Sequence, residues 1–180
     1  VQCSIQLPSA STADVTVAIS AAPAAQLAIT PATVTIPAGS TGPVPVTITA
    51  VDDDVAEGTH AARIEFDVQS TDPLFDVLTL PTVDADIADN DAAGVVVTPA
   101  GPIALAEGGA SQTATVALTS EPTGPVTIRL DGGAQVGVTP TTLTFLPSTW
   151  RTAQTITLSA IDDAVDEPDP HAGQVTFDGE

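Results

Sequence analysis

The chain has 180 residues, with 23 Asp and Glu against three arginines and no lysine, for a formal charge of −20. Polyanions are held by Lys and Arg, so DNA, RNA and anionic membrane surfaces are excluded as partners and cations are favoured. No apolar run reaches the roughly 18 residues of a membrane span, so no membrane insertion is expected of this segment.

Val, Ile and Thr dominate the apolar positions, and 16 Pro and 13 Gly interrupt any stretch long enough for an ordinary helix, which predicts an all-β fold. Cys3 is the one cysteine, so no disulfide can form within the chain. In chain order, the first alternating strand is expected around Val46–Ala50, where Val46, Ile48 and Ala50 alternate with Thr47 and Thr49. An acidic loop, Asp52-Asp53-Asp54 with Glu57, precedes His60. In Val83–Ile87 the period of two sets Asp84 and Asp86 on a wet face. Asp89–Gly94 reads as a very short linker, followed by a strand at Val95–Thr98 and the segment Ile103–Gly109 that carries Glu107. Ala114, Val116 and Leu118 then alternate with Thr113, Thr115 and Ala117, and Ile156, Leu158 and Ala160 with Thr155, Thr157 and Ser159. One apolar and one polar face per strand is the pattern of an antiparallel sandwich, with Phe66, Phe145 and Phe177 as the expected large core residues.

The two halves repeat at an offset of about 110 residues. Val44–Asp53 lies over Gln154–Asp163, Val15–Ile19 over Val126–Leu130, Ile29–Pro31 over Val138–Pro140, and Arg63–Asp67 over Gln174–Asp178. Because that offset exceeds half the length, residues 1–91 are expected to form a sandwich lacking its first strand and residues 92–180 one lacking its last. A window on a longer array of repeats accounts for this; the alternative is that edge strands are exchanged between molecules, giving a homo-oligomer or filament.

The acids recur at equivalent places, each cluster starting where an alternating strand ends. Asp52, Asp53 and Glu57 stand in the first copy, and Asp162, Asp163, Asp166, Glu167 and Asp169 in the second. Unit charges a few ångströms apart repel by roughly 4 kcal/mol per pair at an effective dielectric of 20, which a hard cation removes. Ca2+ accepts six to eight oxygens in irregular geometry and suits such loops better than Mg2+. Glu107 and the junction acids Asp89 and Asp91 are expected to join the same rims. The loops match no EF-hand spacing. A purely solubilising acidic surface is the alternative. Trp150 is expected to pack against the sandwich edge, with a sugar-stacking platform as the other reading, and His60 and His171 are read as incidental. No nucleophile elbow, zinc signature or cleft-flanking carboxylate pair is present, so no enzymatic activity is expected.

The succession Ala106-Glu107-Gly108-Gly109, Val126-Thr127-Ile128, Leu143-Thr144-Phe145, Trp150, Gln154–Leu158 and Asp162–Glu167, with Ile87–Asp91 closing the first copy, resembles the Calx-beta domain family. The resemblance spans nearly the whole chain. It implies tandem Ig-like antiparallel β-sandwiches, with calcium held in the loops at one end. On the matching positions it implies Glu107 as the glutamate of the first strand, and Asp52-Asp53 and Asp162-Asp163 as the acidic pair. It further implies Glu57 and Glu167 as the following glutamate, and Asp89 and Asp91 as the terminal acids. The first copy departs from the pattern, with Ser40 near the place of Trp150 and Ile36 at that of Phe145.

The expected function is that of a non-enzymatic, calcium-stiffened spacer or adhesion repeat, secreted or at a cell surface, whose partners are neighbouring repeats. The alternatives are a subunit of a filament or surface layer built by strand exchange, and a module binding a carbohydrate or protein.

Overall fold

The computed structural model describes residues 1–166, 168 and 171–179; Glu167 is outside the described residues. The chain is all-β, with no helix among the described residues, and it divides into two compact units. The first comprises Val1–Asp53 and Gly58–Asp89, the second Asp54–Glu57 and Asn90–Glu180.

The first unit contains β1 (Gln2–Ile5), β2 (Val15–Ala22), β3 (Leu27–Thr30), β4 (Thr33–Ile36), β5 (Val44–Ala50), β6 (His60–Ser70) and β7 (Val83–Ile87). They form two antiparallel sheets, ordered β1-β5-β3 and β4-β2-β6-β7. Residues at alternate positions of both sheets meet in one core that includes Val15, Val17, Ile19, Leu27, Val34, Ile36, Val46, Ile64 and Ile87. Fully burying each such side chain is worth roughly 1.5–3 kcal/mol.

The second unit contains β8 (Val95–Thr98), β9 (Gln112–Leu118), β10 (Val126–Asp131), β11 (Val136–Thr139), β12 (Thr142–Phe145), β13 (Gln154–Ala160) and β14 (Thr176–Gly179). Its antiparallel sheets are ordered β11-β13-β9-β8 and β12-β10-β14. Ala114, Val116, Ile128, Leu130, Leu143, Phe145, Ile156 and Leu158 form a separate core.

The repeat seen in the sequence recurs in the strand pairing. Val15 stands opposite Ile36 in the first unit, as Val126 stands opposite Phe145 in the second. Ile19 faces Phe66 as Leu130 faces Phe177, and Ile29 faces Ile48 as Val138 faces Leu158. A one-residue slip would turn every apolar side chain to the wet face, so shared register is a demanding form of agreement. The units differ at two edges. Among the described residues the first has no strand matching β8, and the second none matching β7.

The large aromatics depart in part from expectation. Phe145 is fully buried and Phe66 packs partly buried on the first core, but Phe177 is 39 % exposed. Phe66 lies mid-strand in the eleven-residue β6, paired with β2, whereas Phe177 lies in the four-residue β14, which pairs with β10 alone. Phe75, from the turn after β6, is a buried residue of the first core that the strand pattern did not single out.

Candidate functional site

Each unit ends its central strand in an acidic loop, and the same backbone contact terminates both strands. Val51 N–H donates to the Gln26 carbonyl in the first unit and Ile161 N–H to the Gln135 carbonyl in the second, each at 3.0 Å. Beyond these bonds the pairing stops, and Asp52, Asp53, Asp162 and Asp163 are all exposed.

In the second unit a distant segment comes to this loop. Glu107 lies in a turn closed by Gly109 N–H donating to the Ala106 carbonyl at 2.9 Å. Gly108 takes a left-handed φ of 64° there, which glycine adopts without steric penalty. A Cβ built on Gly108 would lie 3.8 Å from Asp162 Oδ2, so the turn that carries Glu107 sits directly beside that carboxylate. Glu107, Asp166 and His171 line one cavity of about 470 Å3. Asp163 is partly used locally, since its Oδ1 accepts the Val165 N–H at 2.7 Å.

In the first unit the loop is met by Asp89, whose Oδ2 accepts the Gly58 N–H at 2.7 Å across 31 residues of sequence. Asp52, Asp53 and Asp89 belong to this unit; Glu57 and Asp91 fall in residues counted with the second. Asp54, also counted with the second, forms an ion pair with Arg151. Among the described residues, no three His, Cys, Asp or Glu side chains converge as a ready-made metal-holding group. Asp84 is on the exposed face, accepting from Arg63 Nε at 3.0 Å.

The histidines occupy matching positions in the two units. His60 Nε2 donates to Gln26 Oε1 at 2.8 Å, and His171 Nε2 to Gln135 Oε1 at 3.1 Å. Gln26 and Gln135 are the residues whose carbonyls end β5 and β13, so each His–Gln pair fixes the start of an acidic loop to the chain that enters β6 or its counterpart. The signal was available in the repeat: His and Gln recur together in both copies.

Trp150 is only 9 % exposed, and the Arg151 guanidinium lies over its ring, 5.0 Å from the centroid. That places the indole in the packing, with one face covered by a cation. Asp72 is a further acid that composition alone did not distinguish. It is 4 % exposed, and its carboxylate accepts the Thr12 N–H and hydroxyl, both at 2.8 Å, and the Leu74 N–H at 3.0 Å. The Thr12 backbone N–H, then that of Leu74, then the Thr12 hydroxyl hold its pKa below the ordinary carboxylate value, against the opposing effect of desolvation. Its partners are all structural, so it pins the Phe75 turn onto the core and takes no part in the acidic rims. The chain matches no protein-family model, and no curated protein matches it.

Proposed function

We propose that the chain is a non-enzymatic, calcium-responsive spacer or adhesion repeat of a secreted or cell-surface protein, made of tandem Ig-like sandwiches of the Calx-beta type. The observation that carries this reading is recurrence. In both units an acid-rich loop leaves the end of the central strand, and in both a second acidic segment is brought to it, Asp89 to Gly58 in one and the Glu107 turn to Asp162 in the other. A solubilising surface needs charge without fixed placement; an ion site needs oxygens from separate segments at one rim.

Calcium bound among Asp52, Asp53 and Asp89 in the first unit, and among Glu107, Asp162 and Asp163 in the second, would replace mutual repulsion by shared attraction. Each loop would then be crosslinked to a strand distant in sequence, stiffening the array of neighbouring repeats. Sites of this kind in extracellular modules bind with dissociation constants of about 10⁻⁴–10⁻³ M, which suits a secreted or surface location where calcium is millimolar.

Calorimetric titration tests the reading. Calcium should give saturable binding, weakened in one set of sites by Asp162→Asn with Asp163→Asn and in the other by Asp52→Asn with Asp53→Asn, while magnesium binds more weakly. Absence of saturable binding up to about 10 mM, well above that affinity range, or isotherms untouched by all four substitutions, would return these acids to a solubilising role.

A further inference from the structure

We infer that the outer edge of the second unit, along residues 172–175 and β14, is an acceptor site for one added antiparallel strand of the β7 type. In such a strand, apolar residues at alternate positions face the core and acids face solvent. The inference does not rest on calcium binding.

The first unit shows what this place holds when occupied. There β7 pairs with the first part of β6, with His60 opposite Ile87, Ala62 opposite Ala85 and Ile64 opposite Val83. Ile87 is 5 % exposed and belongs to the core, and Ala85 packs against it. The equivalent stretch of the second unit, His171-Ala172-Gly173-Gln174-Val175, repeats His60-Ala61-Ala62-Arg63-Ile64. It is positioned the same way, with His171 on Gln135 as His60 is on Gln26. Yet residues 172–175 belong to no strand, and regular strand geometry begins only at Thr176, where β10 supplies pairing. Strand structure is therefore missing only where β7 would pair.

The side-chain environment agrees. Beside this edge lies an open apolar cavity of about 320 Å3, with Ile103, Leu105, Ile156, Leu158, Val175 and Phe177 in its walls. Apolar side chains entering at the places of Ala85 and Val83, opposite Gly173 and Val175, would stand against the wall of that space. An unpaired edge flanked by exposed apolar surface is what strand addition uses: main-chain hydrogen bonds supply affinity, and the alternating side chains supply register. One specificity difference is predicted. Arg63 pairs with Asp84 in the first unit, but Gln174 stands at its place in the second, so the acid opposite that position is not required.

The test is hydrogen exchange by NMR on the full chain, with a peptide of sequence 81–91 added in trans and with the same segment tethered to the chain by a flexible linker. Tethering supplies an effective concentration of about millimolar. Alternate amides of residues 172–175 should exchange at least about tenfold more slowly, and the Val175 methyl resonances should shift. Asp84→Asn in the added segment should preserve the protection, and Ile87→Asp should abolish it. Unchanged exchange in the tethered chain overturns the inference, as does equal protection by the Ile87→Asp segment. Protection that arises merely on concentrating the chain would assign the edge to a second copy of β14, and would equally overturn it.

Discussion

Ile156→Val offers a direct test of the claim that the two units have separate cores. Ile156 is 1 % exposed, sits mid-strand in β13 opposite Ala114, and has packed neighbours from both sheets of the second unit. The lost methylene therefore leaves a gap that solvent cannot fill, and the cost is about 1 kcal/mol, within the 0.5–1.5 kcal/mol spanned by buried Ile→Val changes. With a urea dependence near 1 kcal/mol/M for a unit of this size, the midpoint falls by about 1 M. Trp150, the one tryptophan, belongs to the second unit, so its fluorescence reports that unit alone while far-UV circular dichroism reports both. The matched change Val46→Ala, at the equivalent buried site of β5, should shift the dichroism curve and leave the fluorescence midpoint in place. Fluorescence midpoints that move equally for both substitutions would refute the two-core account.

Three further outcomes follow from single contacts. The folded-state pKa of Asp72 is depressed, so its contribution is present above the ordinary carboxylate range and is lost as pH falls through the folded value. Asp72→Asn should accordingly lower the melting temperature of the first unit at pH 7 and flatten its acid limb, checked by melts across pH. Ser11 Oγ is buried with no hydrogen-bond partner among the described residues, so Ser11→Ala should raise stability by about 1 kcal/mol in denaturant melts followed by circular dichroism. A Cβ on Gly132 would run into the Val136 carbonyl oxygen, whose residue closes the turn by donating its N–H to the Gly132 carbonyl at 3.2 Å. Gly132→Ala should thus destabilise the second unit by more than about 1 kcal/mol, read from Trp150 fluorescence.

The strands and their faces were readable because burial on one side writes a period of two into the residues. Val46, Ala114, Val116, Ile156 and Leu158 are all buried where alternation placed them. The repeat was readable because shared register constrains matching residues at matching places. What failed to show was whatever depends on a partner remote in sequence. Phe177 has the same local pattern as Phe66, but it lies in a four-residue strand whereas Phe66 sits midway along an eleven-residue one. Asp72 looks like any loop acid until Thr12 is brought to it across 60 residues. The His–Gln pairs likewise need β3 and β6, or their counterparts, to be set side by side. Among the candidate ligands, sequence placed the acids on loops after β5 and β13, but the approach of Asp89 to Gly58 and of the Glu107 turn to Asp162 is a product of the fold.

The central claim is that the acidic rims bind calcium, and a thermal melt of the chain in chelator, in 2–5 mM calcium (roughly the extracellular range) and in matched magnesium tests it most directly. For a site with a dissociation constant of about 0.1–1 mM, 5 mM calcium adds roughly 1–2 kcal/mol per ion to the native state. In a unit of this size that raises the melting temperature by several degrees, at about 4–8 °C per kcal/mol. The account predicts such a rise for calcium, much reduced for magnesium and lost on combining Asp162→Asn and Asp163→Asn with Asp52→Asn and Asp53→Asn. Superimposable melts in chelator and calcium would contradict it.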